Sequence, residues 1–455
     1  MKGLRLAAAT LGCKINQVET ASLLEKLEEK GSRLVSFKEP AEIYLINTCA
    51  VTARAAYESR QLIRRALKRK PLLVIATGCY VQVGAQEILE RIDGPVLLVG
   101  QDRKARIPEI MNQISLPLEE SLLLVGDVQR LRRCEPFRYR RFPGHHRAFL
   151  RVQDGCDAFC SYCIVPLARG PARSLSLEEV LEQACLLKEA GFAEIVLTGV
   201  HLGLWGKDLS PPRELLELLQ ALEAIKPPRL RLSSLHPSEI SPGLLDWAEK
   251  SGLLCPHFHL SLQSGDDNVL KQMGRPYQAA LFEEVVSKIK RRFPEAAIGA
   301  DVIVGFPGES EEAFKRTYEL LRRLPVSYLH VFPFSPRPGT KAAQWAQLPP
   351  HQIARRAKAL QELGRAKKKA FYSEQIGRTL HVLVERRYDP ERGLYQGLTE
   401  NYVTVHFTGP PGLEGSIRPV RVERLVNETL YGTLLKSHKI SSLLDETPRM
   451  DQSLF

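Results

Sequence analysis

Three cysteines fall in the run Cys156-Asp-Ala-Phe-Cys160-Ser-Tyr-Cys163, and three others stand singly at Cys13, Cys49 and Cys79. The close triplet offers three soft thiolates, one fewer than a four-iron cluster usually takes. A [4Fe–4S] cluster held by three ligands leaves one iron open for a small molecule. The scattered three can build a second site of that kind, and two incomplete clusters in one chain point to redox chemistry with sulfur rather than to electron storage. Zinc is the plain alternative for the triplet. Structural zinc, however, usually takes four ligands in paired two-residue spacings; no fourth cysteine follows, and His201 is too far along the chain to infer as a ligand. For the scattered three, the plain alternative is burial as small apolar side chains. Cys185 lies in a helical pattern beside Val180, Leu181 and Ala184 and reads as core; Cys134 and Cys255 have no ligand-type spacing.

The elements around these residues explain how they could meet. Residues 1–115 alternate strands (4–11, 43–47, 72–77, 96–99) with helical patterns (18–30, 53–70, 85–91), the pattern of an open parallel α/β sheet. Cys13, Cys49 and Cys79 each fall at the carboxyl end of one of the first three strands, the edge where such sheets bind ligands. A helix is expected soon after each, and a helix N-terminus lowers a thiol pKa. Residues 116–147 read as a linker crowded with arginine, whose charge serves either solvent or phosphate contacts; His145 and His146 in it read as surface residues. Residues 148–345 repeat strand then helix six times, too few for an eight-fold closed barrel, so a partial (βα)6 barrel is expected with Cys156, Cys160 and Cys163 on its first loop. In 351–372, Arg355, Arg356, Lys358, Arg365, Lys367, Lys368 and Lys369 face one Glu362, a basic helix that closes the unit 148–372. Across 374–436 short strands near 379–385, 402–407, 417–423 and 430–435 are punctuated by Gly and Pro, as in a small all-β barrel of oligonucleotide-binding type. That segment holds eight Lys and Arg against eight Asp and Glu, so RNA binding there must use shape and stacking, or the preceding helix. Residues 437–455 read as a disordered tail.

The chain of 455 residues carries a formal charge of +12 and a pI near 9.2. This excess favours a polyanion partner, RNA or DNA ahead of an anionic membrane. Nine cysteines, an odd number without disulfide spacing, indicate a reducing compartment. Residues 1–13 resemble a secretion signal ending in cysteine, but Arg5 interrupts the short apolar stretch, and a first β-strand is the better reading. No segment approaches the roughly 18 apolar residues that span a bilayer. A cytoplasmic protein without membrane attachment is expected.

The motifs together resemble one family. The CxxxCxxC run on the first loop of a partial barrel is similar to radical S-adenosylmethionine enzymes. Thr10-Leu-Gly-Cys-Lys-Ile-Asn16, Asn47-Thr-Cys-Ala-Val-Thr52 and Gly78-Cys79 resemble the N-terminal domain of the methylthiotransferases within that group. Gln153-Asp-Gly-Cys156, Ala168-Arg-Gly170, His259–Gly265, Asp301–Glu309 and Phe334–Thr340 resemble their radical domain, and the C-terminal barrel their TRAM domain; the likeness runs from about residue 4 to residue 436. It implies two [4Fe–4S] clusters, an auxiliary one on Cys13, Cys49 and Cys79 that carries the sulfur, and one on Cys156, Cys160 and Cys163 whose open iron chelates S-adenosylmethionine. One S-adenosylmethionine methylates the sulfur; a second, cleaved by one electron, yields the radical that activates the substrate carbon. Tyr162 would pack near the adenine. Gly199, Gln263 and Gly305 are expected in the S-adenosylmethionine pocket, although the two glycines read equally as tight βα turns.

Leu11-Gly-Cys-Lys-Ile-Asn-Gln-Val-Glu19 is most similar to the branch acting on carbon 2 of threonylcarbamoyladenosine beside the tRNA anticodon. Leu167 departs from the Tyr common before Ala-Arg-Gly, at no metal ligand. The expected partners are the anticodon stem-loop, splayed so that one base is exposed, a sulfur source, and a low-potential electron donor such as flavodoxin or ferredoxin. The basic helices 54–70 and 355–369 are candidate phosphate contacts. Three alternatives stay open: the same chemistry on isopentenyladenosine, the same chemistry on a ribosomal-protein aspartate, and an iron–sulfur RNA-binding protein without catalysis.

Overall fold

A computed structural model describes residues 3–435; the expected tail at 437–455, and Lys436 at the end of the expected barrel, lie outside them. The chain divides into two compact units, Met1–Lys368 and Lys369–Phe455. Among the described residues no helix is long and apolar enough to cross a membrane.

The first unit begins with strands β1 (Arg5–Thr10), β2 (Arg33–Val35), β3 (Ile43–Thr48), β4 (Leu73–Gly78), β5 (Leu97–Val99) and β6 (Leu122–Leu124). They form one parallel sheet in the order β2-β1-β3-β4-β5-β6. Helices α1 (Lys14–Glu29), α2 (Ala53–Leu67), α3 (Cys79–Arg91) and the short α4 (Ile107–Ile110) make the connections. Every residue of β3 and β4 is buried, which is why both read as unbroken apolar runs and not as alternation. Strand β6 lies inside the segment read as a linker. It is a half-exposed edge strand of three leucines, too short to show a period. Three of the linker arginines make ion pairs at the surface: Arg133 with Glu179, Arg138 with Glu182 and Arg141 with Glu28.

Six further parallel strands follow: β7 (Arg147–Asp154), β9 (Glu194–Gly199), β10 (Leu230–Leu232), β11 (His257–Gln263), β12 (Ala297–Val304) and β13 (Tyr328–Pro333), with β8 (Arg173–Ser174) antiparallel on the outer side of β7. A parallel bridge from Leu235 to Leu260 joins the two runs, giving the partial six-stranded barrel. Between the strands lie α5 (Val165–Arg169), α6 (Leu177–Glu189), α7 (Leu215–Ile225), α8 (Pro242–Ser251), α9 (Asp267–Met273), α10 (Ala279–Arg292) and α11 (Glu311–Arg323). Their starts are written locally: Ser176 and Glu179 form a reciprocal capping box, and Ser310 accepts from the Ala313 amide. Helix α12 (Pro350–Ser373) was expected to offer free cations. Instead Arg356 is buried on Glu309, and Lys367 donates to the Arg322 and Leu324 carbonyls. Lys358 and Arg365 remain exposed.

The second unit is a closed five-stranded barrel, β14 (Thr379–Asp389), β15 (Leu394–Thr399), β16 (Thr404–Thr408), β17 (Ile417–Val426) and β18 (Thr429–Leu434), ordered β14-β15-β16-β18-β17. Sequence reading missed β15. Its Gly397 looks like a breaker, yet a Cβ there would stand 2.4 Å from the Leu383 carbonyl oxygen; glycine permits the close strand approach.

Candidate active site

The three scattered cysteines arrive on one edge of the first sheet. Cys13 is the N-cap residue of α1, Cys49 follows β3 directly, and Cys79 opens α3. The approach is close: a Cβ on Gly12 would stand 3.0 Å from Cys49 Sγ, and one on Gly78 would stand 2.4 Å from the Thr48 carbonyl oxygen. Both glycines adopt positive φ, 99° and 103°, so their lack of a side chain is what lets the cysteine loops meet. Asn16, 1% exposed, pins two of these loops. Its Nδ2 donates to the Leu11 carbonyl at 2.7 Å and the Thr48 carbonyl at 3.1 Å. Gln101 Nε2 lies 3.6 Å from Cys79 Sγ.

At Cys49 and Cys79 burial is the largest influence, and at Cys49 it outweighs a backbone N–H of Val51 that lowers the thiol. Burial pushes Cys49 up to about 11 and raises Cys79 as well, and the neighbouring thiols add to both. A bound cation is what would return them to thiolates.

Cys156, Cys160 and Cys163 lie on the loop after β7 and sense one another's charge. Burial pushes Cys163 up to about 12. Gly155, at φ 71°, starts the loop. His201, left unplaced by the sequence, reaches Cys156 Sγ with Nδ1 at 3.6 Å, while its Nε2 meets Glu239. Among the described residues, the groups that bring three ligand atoms within 4.8 Å of one another are His201/His236/Glu239 and His259/Asp301/His330, and neither contains a cysteine. Two sets of three soft thiols suit iron–sulfur clusters. Cys185, which reads as core in the sequence, is exposed on α6.

The two cysteine loops share a cavity of about 200 Å³. Val51 and Thr52, just after Cys49, form one wall; Tyr162, Cys163, Ile164 and Val165 form another; Gln263, Asp301, Ile303, Phe332, Phe334 and Ser335 complete it. The expected residues Tyr162 and Gln263 are there. Gln263 holds a positive φ of 68° at the end of β11, and Arg275 Nη2 donates to the Tyr162 hydroxyl at 2.7 Å. Gly199 and Gly305 are not among these walls. A Cβ on Gly199, the last residue of β9, would meet Gln153 at 3.0 Å, and one on Gly305, at φ 74°, would meet Ile353 at 2.5 Å. Sequence reading did not single out Asp301 as a site residue, though it stands in a quoted motif. Burial opposes its charge, but hydrogen bonds from His259 and His330 outweigh that and hold the carboxyl well below the usual range. A larger groove, about 720 Å³, opens between β1, β2, α1 and residues 141–145, and none of the six cysteines lines it.

Comparison with known proteins follows the same division. The Radical SAM superfamily model matches residues 150–321, and that of Uncharacterized protein family UPF0004 matches residues 5–100. Threonylcarbamoyladenosine tRNA methylthiotransferase MtaB of Aquifex aeolicus is 41% identical over 414 residues, 89% of this chain and 97% of the relative. Its namesake in Bacillus subtilis is 37% identical over 92% of this chain and 93% of the relative. The tRNA-2-methylthio-N(6)-dimethylallyladenosine synthase of Staphylococcus epidermidis is 30% identical over 97% of this chain and 87% of the relative. Among solved structures, the radical S-adenosylmethionine methyltransferase TsrM of Kitasatospora setae, with cobalamin and a [4Fe–4S] cluster bound, aligns at TM-score 0.53. That alignment covers 75% of this chain and 77% of TsrM at 14% identity, a likeness of fold.

Proposed function

The chain belongs to the radical S-adenosylmethionine methylthiotransferases, and we propose that it replaces the hydrogen on carbon 2 of threonylcarbamoyladenosine in tRNA with a methylthio group. In this reading Cys13, Cys49 and Cys79 hold an auxiliary [4Fe–4S] cluster, and Cys156, Cys160 and Cys163 hold the cluster that binds S-adenosylmethionine. When bound, these groups supply one-electron cleavage of S-adenosylmethionine and the sulfur to be transferred.

The observation that carries the reading is the shared cavity: its walls include the residues just after Cys49 and the loop bearing Cys163. A base placed there lies against Cys163 and against the residues that follow Cys49. Ile303, Phe332 and Phe334 offer the ring apolar walls, and Gln263 and Asp301 offer the few polar groups that fix its orientation. Arg275 fixes the Tyr162 hydroxyl. In the second unit Tyr388, 55% exposed, presents a ring beside Arg386 and His406, the kind of platform on which a base stacks. The preference for threonylcarbamoyladenosine rests on the relatives named for that substrate, which reach 41% identity against 30% for the dimethylallyladenosine relative. A low-potential donor such as flavodoxin or ferredoxin and a sulfur source complete the proposal.

The test is nucleoside mass spectrometry of tRNA from a host lacking the methylthio modification, after reaction with the anaerobically reconstituted, reduced protein. Conversion of threonylcarbamoyladenosine to its 2-methylthio form is expected. No conversion, with 5′-deoxyadenosine still released, would overturn the substrate and leave the radical chemistry standing.

A further inference from the structure

Between the two cysteine sets lies a buried ionic network that the reaction as described does not use. Glu19 accepts from Lys104 at 2.6 Å, Arg169 at 2.9 Å and Arg151 at 3.2 Å. Asp154 accepts from Arg169 at 2.8 Å, Arg151 at 3.2 Å and Arg173 at 3.3 Å. All six residues are at most 8% exposed. Four cations therefore face two carboxylates, a formal surplus of two positive charges, and among the described residues no third carboxylate pairs with them. The Nε atoms of Arg151 and Arg173 are buried without a partner. Buried charge without a counter-ion is strongly unfavourable, so an arrangement with this surplus implies further negative charge beyond the two carboxylates.

The geometry shows where that charge belongs. Lys104 Nζ reaches Asn47 Oδ1 at 3.4 Å, and that same oxygen is 2.5 Å from where a Cβ on Gly78, the residue before Cys79, would stand. Gln101, three residues before Lys104, touches Cys79 Sγ. Arg169 Nη2 donates at 2.6 Å to Asn16, whose other end holds the chain before Cys13 and Cys49. We propose that Lys104 and Arg169, within this network, are the built-in counter-charge of the auxiliary cluster, selecting an anionic tris-thiolate cluster there and raising its reduction potential. The inference rests on the two-cluster reading. In keeping with it, Arg169 and Lys104 are the charges that oppose the burial effect at the Cys79 thiol. Net charge and outer hydrogen bonds are established levers on cluster potential. Cys156 is tied in as well, since Asp154 Oδ1 accepts from the Gly155 amide at 2.9 Å.

Lys104→Met tests this, because a counter-charge and a structural ion pair predict opposite signs. The variant is made in the full chain with Cys156, Cys160 and Cys163 changed to Ala, so that only the upstream site can load. Removing Lys104 leaves Glu19 with two arginines and reduces the surplus. The iron-free chain should therefore lose no thermal stability. The reconstituted cluster should titrate at a lower potential in EPR-monitored redox titration and be stripped faster by a chelator, and Lys104→Arg should restore both. A cluster with unchanged potential, or an iron-free chain that melts at lower temperature, overturns the inference alone. Failure of any cluster to build with Lys104 intact overturns the two-cluster reading, and the inference with it.

Discussion

Asn16 offers the sharpest check on how the upstream cysteines are held. Asn16→Ala removes three hydrogen bonds at a site 1% exposed: those to the Leu11 and Thr48 carbonyls, and the one from Arg169 Nη2. Two neutral bonds at about 1 kcal/mol and one to a charged group at about 2 kcal/mol sum to about 4 kcal/mol. That sum acts on local opening of the two loops, because their strands keep their own ladder. The Leu11 amide, which donates to the Asn47 carbonyl at 2.9 Å, reports the opening by hydrogen exchange. At 1.4 kcal/mol per tenfold, its exchange should quicken by about 10³. In the chain lacking the downstream cysteines, reconstituted iron should fall from about four atoms per chain toward zero. Exchange within threefold of the parent and undiminished iron would refute the assignment of Asn16 as the clamp.

Cys160→Ala should abolish 5′-deoxyadenosine formation under reduction. Cys49→Ala should leave that cleavage intact and stop methylthio transfer; retained transfer removes the upstream site from the reaction. On α2, Arg64 is engaged by the Arg91 carbonyl, whereas Arg65 and Lys68 are exposed. Replacing Arg65 and Lys68 with Ala should flatten the salt dependence of tRNA binding by about 0.7–0.9 in log–log slope per lost phosphate contact, and an unchanged slope rejects the contact. Glu309→Leu leaves the buried Arg356 guanidinium with only the exposed Glu311 carboxylate and should cost the first unit about 3 kcal/mol, the low end for breaking a buried pair, in chemical denaturation, with Glu309→Gln milder.

What could be read from the sequence, and what could not, follows from the range of the interactions. Cys49 and Cys79 were placed at strand ends because β3 and β4 are continuous apolar runs that stop directly before them. The three thiols on the CxxxCxxC loop sit within eight residues, so spacing alone gathers them. Lys104 is different. It lies in a polar stretch, Gln101-Asp-Arg-Lys-Ala-Arg106, and resembles any surface lysine, yet its partner Glu19 is 85 positions away; Arg151 reaches the same carboxylate across 132. Arg356 looked free for the same reason, since Glu309 is 47 positions distant.

The size of the shared cavity constrains how a substrate enters it. At about 200 Å³ it falls below the roughly 300–1,000 Å³ of pockets that enclose whole drug-sized ligands. A flat ring system can sit among its walls. A nucleotide in a chain can present that ring only if the base leaves its stack while its backbone stays outside. Val51 and Phe332, 53% and 43% exposed, line the cavity and can pack against neighbouring bases at its mouth. A stacked, paired duplex cannot make this presentation without losing a base pair; an unpaired loop can make it at the cost of one stacking step. The same walls therefore favour an unpaired nucleotide, entering from the side where Val51 and Phe332 are exposed.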